Sequence, residues 1–354
     1  MYTPILRNRQ SELLAIQQLR ASVRRRCTPL LDVAAPTKDA DLATARAYVI
    51  RNAQRVTKAI QGFSRAFVDS SELDAAFRVG GSHPLSVLAD AVQAANCTPI
   101  PVTGLHRDRD HMRAAFRIKA STESEEICFR LDATDVGTAS RSHAELMEIL
   151  ERHSADPSDV VLLLDLQSVY AMDSQALAAP ITRFMGRAGQ SRWAGIIVAG
   201  YGVPDQISNA VAVRQQGYIA RIEQEVFNRV AGQMAEQNVW FGDYTTVPPT
   251  QVELDWWVFS RVMGPKAIYA LEDSWFVVRG SPFSGHADGY GQYHDVANEI
   301  VALAEFSGAG YSWGDAYIHE RATDPSSSSG SPSSWIKACV NHHITLTANA
   351  HAGA

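Results

Sequence analysis

The sequence has few cysteines and no long apolar run. Its 354 residues include four cysteines, Cys27, Cys97, Cys128 and Cys339, and none of them forms a CxxC pair. This spacing argues against a disulfide framework or a zinc knuckle and indicates buried thiols in a reducing compartment. No apolar run reaches the roughly 20 residues of a membrane helix, and the stretch MYTPILRNRQ lacks the apolar segment of a signal peptide. We therefore expect a cytoplasmic protein with no membrane contact.

An excess of positive charge and the common catalytic motifs are also missing. The formal net charge is −6. The one short basic run, RRR at 24–26, is typical of a solvated helix end, so the chain shows no strong nucleic-acid signature. It contains no Walker motif, no GxSxG and no HExxH. The glycine-rich stretch GAGYSWGD (308–315) follows a predicted helix rather than a strand, which favours a structured turn over a phosphate loop.

A unit of one apolar strand followed by an amphipathic helix recurs along the chain. Such alternation predicts a parallel sheet covered by helices. Eight units over residues 1–247 predict a (β/α)8 barrel of the TIM type. An open doubly wound sheet is the alternative, but the stretch RNRQSE after the first strand lacks the glycines typical of that fold. The predicted strands are 3–6, 28–34, 65–71, 98–105, 126–135, 159–169, 193–202 and 239–244.

Residues 248–354 follow the eighth predicted strand. We expect them to form an α+β appendage packed on the barrel rather than an independent domain. Within it, the pattern predicts a hairpin over 267–280 and a helix over 294–306, whereas 335–350 is ambiguous between strand and helix. A helix is also predicted over 215–237, between the seventh and eighth strands.

Five of the eight strands place an aspartate directly after an apolar run. In a barrel these side chains approach the C-terminal mouth, where such folds carry their active sites. Buried carboxylates require cations, hydrogen-bond donors, a metal or protonation. Arg130 precedes one of them by two residues and predicts a built-in counter-charge, although barrel interiors also contain Arg–Asp layers that only fill space. The five are Asp32, Asp69, Asp132, Asp165 and Asp243.

The acidic residues lead to a first functional hypothesis, a hydrolase. Asp132, Asp165 and Asp243, with Arg130, are the candidate catalytic residues for general acid/base work. The same three carboxylates are candidate ligands of Mg²⁺ or Mn²⁺, and the sequence does not choose between these chemistries. Arg7 follows strand 1 closely and can hold a small anionic substrate, such as a nucleotide or phosphoester. Arg9, Glu12, Asp32 and Asp69 are further candidates for substrate binding.

Both ends of the chain resemble the phage beta protein family. YTPILRNRQSELLAIQQL and CTPLLDV are similar to its opening, a Pro-Ile-Leu-basic segment, a glutamate-led helix and a Pro-Leu-acidic strand. FSGAGYSWGD and SSWIKACVNHHITL are similar to its other end, a glycine-rich turn before a tryptophan and a His-His pair. The resemblance implies a phage, prophage or phage-defence context and supplies no settled activity. It marks Arg7, Glu12, Asp32, Asp315, Trp335 and His343, which adds Trp335 and His343 to the candidate binding residues.

A second hypothesis is a non-catalytic phage or defence component that binds a protein partner. Its interface would be the C-terminal region, with exposed aromatic side chains from DWWVF (255–259) and SWFVVRG (274–280) as anchors.

Overall fold

Eight parallel strands close into a barrel, which confirms the predicted (β/α)8 fold. The computed structural model describes residues 1–36, 40–73, 75–189, 191–234, 236–250 and 263–352. Each predicted strand contains or overlaps one barrel strand. In barrel order they are β1 (Tyr2–Leu6), β2 (Leu30–Asp32), β3 (Arg65–Asp69), β4 (Thr98–Thr103), β5 (Ile127–Asp132), β6 (Val160–Ser168), β7 (Gly195–Tyr201) and β9 (Val239–Asp243).

Helices cover the outside of the barrel. Aspartates cap the N-termini of four of them, because their side chains accept hydrogen bonds from first-turn N–H groups: Asp41, Asp108, Asp132 and Asp173. The helices up to β9 are α1 (Gln10–Gln17), α2 (Ala21–Arg24), α3 (Leu42–Ala59), α4 (Pro84–Gln93), α5 (Arg109–Ser121), α6 (Ala133–Gly137), α7 (Ala139–Arg152), α8 (Ser174–Ala188) and α9 (Ile222–Gln233).

Side chains alternate between two cores along the barrel strands. Leu30 and Leu163 belong to the core inside the barrel. Leu31 and Leu162, their neighbours in sequence, belong to the core between the strands and the helices. This period of two decides which strand residues reach the interior and its mouth.

A second sheet of three antiparallel strands lies beside the barrel. It consists of β8 (Gln216–Ala220), β10 (Lys266–Ala270) and β11 (Ser274–Arg279), in the order β10-β11-β8. The predicted hairpin over 267–280 is therefore present. The helix predicted over 215–237 is wrong in its first part, because Ile219 pairs with Trp275 in this sheet and only α9 is helical.

The described part of the C-terminal region contains the helices α10 (Tyr293–Val301), α11 (Trp313–Thr323) and α12 (Pro332–Ala350). The ambiguous stretch 335–350 is thus helical, and α12 packs against α1, β1 and β10. The sheet pairs β8, which lies within residues 1–247, with β11, which lies within residues 248–354. The division between barrel and appendage at residue 247 therefore stays a prediction.

The second hypothesis placed exposed aromatic side chains in two stretches, SWFVVRG and DWWVF. Trp275 and Phe276 of SWFVVRG are buried, so their predicted exposure is wrong, because β11 lies between β8 and β10. The stretch DWWVF falls outside the described residues. Within the described ranges, none of the helices has the length and apolar character needed to cross a bilayer. All four cysteines are buried and free.

Candidate functional site

Four of the strand-end aspartates close the same local turn. In Asp69, Asp132, Asp165 and Asp243, Oδ1 accepts a hydrogen bond from the backbone N–H group two residues later, at 2.9, 2.7, 2.9 and 3.0 Å. This Asx turn explains why an aspartate follows the apolar run. Asp32 differs, because its buried Oδ1 has no hydrogen-bond partner within the described part of the chain.

Arg130 lies at the centre of the barrel floor. Its Nε donates to Asp165 Oδ2 at 2.9 Å, and its Nη1 donates to Asp69 Oδ2 at 2.7 Å and to Asp32 Oδ2 at 3.0 Å. Its Nη2 donates to the Tyr244 hydroxyl at 2.7 Å, and that hydroxyl donates to Asp165 Oδ2 at 2.7 Å. Arg130 is therefore the counter-charge of three strand-end acids, and its pKa is raised well above the ordinary value, since those carboxylates outweigh the effect of burial.

Burial and charge drive the pKa values of Asp32 and Asp69 apart. Burial raises the pKa of Asp32, an effect that the Arg130 guanidinium opposes and the Asp69 carboxylate reinforces. Burial also disfavours the charge of Asp69, but the Arg107 and Arg130 guanidinium groups outweigh it and lower its pKa to about 2. The two carboxylates share Arg130 Nη1, and their pKa values shift in opposite directions. Adjacent acids with separated pKa values are a common feature of acid/base sites.

Arg7 connects the floor to the wall of the mouth. Its Nη1 donates to Asp32 Oδ2 at 2.7 Å, and its Nη2 forms an ion pair with Glu72. Its Nε is buried and has no hydrogen-bond partner among the described residues. Arg7 Nε and Asp32 Oδ1 are thus two buried polar atoms beside the mouth that the described chain leaves unsatisfied.

A cavity of about 1010 Å³ opens above this floor. Basic side chains of its lining include Arg7, Arg51, Arg107 and Arg130, and Asp32 and Asp165 line its base. At the rim, His106 Nε2 lies 2.9 Å from Asp135 Oδ1. The volume and the mixed charges suit a small polar ligand.

Asp132 lines the same cavity but does not join the floor. Its side chain is exposed, and its Oδ1 accepts from the backbone N–H groups of Thr134 and Asp135 at the start of α6. Asp132 is thus near Asp32 and Asp165 in the mouth, with solvent access that they lack.

Asp243 points away from the mouth. Its neighbours in sequence, Gly242 and Tyr244, face the interior, so Asp243 faces outward beneath α12. There its Oδ2 lies 2.7 Å from His343 Nε2, and its Oδ1 accepts a hydrogen bond of 2.7 Å from the Tyr2 hydroxyl. The predicted convergence of all five aspartates is therefore wrong for Asp243, and His343 belongs to its cluster. The cause is that side chains alternate between the two faces of β9, and the position of Asp243 directs it outward.

Two further candidates shape the backbone or pack the core. Glu12 accepts hydrogen bonds from the backbone N–H groups of Arg7 and Arg9 at 3.1 and 3.0 Å and so folds the loop after β1. Trp335 is buried against Tyr293, with ring centroids 4.8 Å apart. Arg7 lines the mouth cavity, whereas Glu12 and Trp335 are not among its lining residues.

His342 and Asp315 form a separate buried cluster. His342 Nδ1 lies 3.0 Å from Asp315 Oδ2 and its Nε2 lies 2.9 Å from the carbonyl oxygen of Ala270. These contacts form one buried cluster around the His342 ring. It joins α12 to α11 and β10.

The described residues offer no ready set of ligands for a divalent ion. Across the described ranges, no group of three or more His, Cys, Asp or Glu side chains is arranged to hold a metal. The proposed ligand set of Asp132, Asp165 and Asp243 is divided between the mouth and the space beneath α12.

Sequence reasoning missed Tyr244 and Arg107. Tyr244 directly follows the eighth strand, and a strict alternation along VWFGDY would have directed it, rather than Asp243, to the mouth. Arg107 follows β4, and its Nη2 lies 3.4 Å from Asp69 Oδ2. The stretch HRDRD gave no signal for which of its arginines faces inward.

The chain belongs to the Beta protein family, whose model matches residues 2–348. This confirms the resemblance noted at both ends of the sequence. No curated protein and no solved structure matches the chain.

Proposed function

We propose that this member of the Beta protein family is a hydrolase that cleaves a small phosphoester, such as a nucleotide, at the mouth of the barrel. The observation that carries the proposal is Asp32: a buried carboxyl with a raised pKa, an unpartnered Oδ1 and a position in the lining of the cavity. Burial raises the pKa of this carboxyl and so favours the protonated form, which can donate a proton to a leaving group.

Asp132 is the better candidate for the general base. It is exposed in the cavity, so water reaches it. Asp165 is less suited, because its Oδ2 accepts from Arg130 and Tyr244 and its Oδ1 accepts from a backbone N–H group. Asp243 has no access to the cavity and takes no part in the proposed reaction.

The proposed step is attack of water on phosphorus. The water oxygen forms the new P–O bond while a water proton passes to Asp132. The bond to the leaving oxygen breaks, and that oxygen receives the proton of Asp32. Asp132 then releases its proton to solvent, and Asp32 takes up a proton from solvent, which restores both residues. The guanidinium groups of Arg7 and Arg107 would hold the phosphate oxygens, since their planar forks match this geometry.

A screen of chromogenic phosphoesters and nucleotides tests the proposal. With a substrate found, Asp32→Asn should lower kcat by about 10²–10⁴-fold, the usual contribution of general acid catalysis. Wild-type kcat should fall as pH rises through the pKa of Asp32, and this alkaline limb should be missing in the variant. Asp159→Asn is the matched control, because Asp159 pairs with Lys119 at the amino end of β6, away from the mouth.

The screen also separates the alternatives. Each substrate is assayed with EDTA and with added Mg²⁺ or Mn²⁺, so that dependence on a divalent ion appears directly. Thermal shift against the same compounds detects binding without turnover. If no phosphoester is hydrolysed or bound, the hydrolase proposal is wrong; a pull-down then tests the protein-binding alternative and the phage or defence context.

A further inference from the structure

A basic groove lies on the outer face of the barrel between α5 and α7. Its volume is about 950 Å³, and its lining includes five arginines and two glutamates. It therefore carries a positive formal charge in a chain whose net charge is −6. The arginines are Arg107, Arg109, Arg113, Arg141 and Arg152.

Two of these arginines carry charge that no described side chain compensates. Arg113 lies 3.7 Å from Asp110, and Arg152 pairs with Glu148 at 2.7 Å. Arg109 and Arg141 are exposed and form no ion pair with a described residue. Both are in the first turns of their helices, at the end of the barrel where the mouth opens.

The groove is continuous with the mouth and contains an aromatic surface. Leu105 and Arg107 line both cavities. From there the groove follows α7, whose 14 residues extend about 21 Å. At its far end the ring of His153 stacks on Phe116, with centroids 3.9 Å apart and an interplanar angle of 4°.

We propose that this groove binds single-stranded nucleic acid and guides one end of the strand to the mouth. Arg109 and Arg141 would contact phosphates, and the ring of His153 offers a surface on which a base can stack. An acidic peptide would leave this ring unused, and a duplex is too broad to enter a groove between neighbouring helices. The proposal deepens the hydrolase proposal by naming its substrate class, while strand binding itself needs no turnover.

Fluorescence anisotropy with the full chain and a labelled strand of about 12 nucleotides, within the range of known single-strand sites, tests the groove. Wild-type protein should bind single-stranded DNA or RNA at low salt. The double variant Arg109→Ala/Arg141→Ala should bind more weakly, and its slope of log K against log salt should be less steep by about 1.4, at about 0.7 per lost phosphate contact.

The control is Arg183→Ala/Arg187→Ala, which removes the same charge from exposed positions on α8. It should bind as the wild type does. The groove proposal is overturned if the wild type does not bind, if both double variants bind alike, or if a duplex or polyglutamate competes as well as the strand. Strand binding without any hydrolysis would instead overturn the proposed function and leave the groove intact.

Discussion

Arg130 Nη1 lies 2.7 Å from Asp69 Oδ2 inside the barrel. The same nitrogen also donates a hydrogen bond to Asp32, and the other guanidinium nitrogens contact Asp165 and Tyr244. This cation thus stabilises three buried carboxyl groups at the base of the mouth, together with Arg7 beside Asp32 and Arg107 beside Asp69. It fixes the positions of these acids by hydrogen bonds to each of them.

Replacing Arg130 by methionine should destabilise the protein strongly. The variant keeps the length of the side chain but leaves Asp165 without its cation, while Asp32 keeps Arg7 and Asp69 keeps Arg107. Breaking such a buried pair costs about 3–5 kcal/mol. The free energy of unfolding from urea titration measures the loss. Arg152→Met is the control, since its exposed pair with Glu148 should contribute about 0–1 kcal/mol. Equal stability of both variants would show that the floor does not depend on Arg130.

Glu223 should make stability fall as pH rises. Burial raises the pKa of Glu223 from 4.5 to about 7, although Arg221 opposes the shift. The folded state therefore binds more protons than the unfolded state between these values, and the free energy of unfolding decreases across that window. The decrease is on the order of 3 kcal/mol, at about 1.4 kcal/mol per unit.

Glu223→Gln should remove this decrease, because glutamine resembles the neutral acid and its amide replaces the unpartnered Oε2. Urea titrations at pH 4.5 and pH 8 measure the difference between variant and wild type at each pH. Glu225→Gln, an exposed change on the same helix, should leave the pH dependence as it is. A Glu223→Gln profile that parallels the wild type would mean that Glu223 is ionised throughout.

The barrel could be predicted from sequence because each strand is a short apolar run in front of an amphipathic helix. Asp32, Asp69 and Asp165 were found because they follow those runs. Side chains alternate between the interior and the outer face along a strand, so the direction of such a residue depends on its position in that alternation. An irregular strand end hides this position in the sequence. Asp243 was misassigned for this reason. The groove arginines were missed because they are distributed over two helices, and no sequence window shows that the helices face each other.

The Tyr2 hydroxyl should stabilise the outer cluster beneath α12. It donates to Asp243 Oδ1 at 2.7 Å, while its ring stacks on Phe241. Tyr2→Phe keeps the ring and removes a hydrogen bond to a charged group, which contributes about 1.5–3 kcal/mol. Urea titration should show a loss of this size. Tyr218→Phe, with a side chain 61% exposed, should show none, and a similar result for Tyr2→Phe would mean that Asp243 does not need this donor.

Gly314 should be essential where α11 meets α12. A Cβ atom at this position would overlap the carbonyl oxygen of Ala338 and lie 3.1 Å from the backbone nitrogen of His342. The Gly314 N–H group also donates to Asn341 Oδ1 at 2.9 Å, so the two helices cannot separate without losing this bond. Gly314→Ala should therefore lower the free energy of unfolding by about 1–3 kcal/mol, the usual cost of overpacking.

Gly186 on α8 provides the matched substitution, because a Cβ atom there meets nothing within 4 Å. Gly186→Ala should raise the free energy of unfolding by about 0.5–1 kcal/mol, since alanine loses less conformational entropy in a helix. The opposite signs of the two changes separate helix propensity from close packing. If Gly314→Ala were stabilising as well, α11 and α12 would have to pack more loosely than their contact implies, and the pairing of His342 with Asp315 across them would not be rigid.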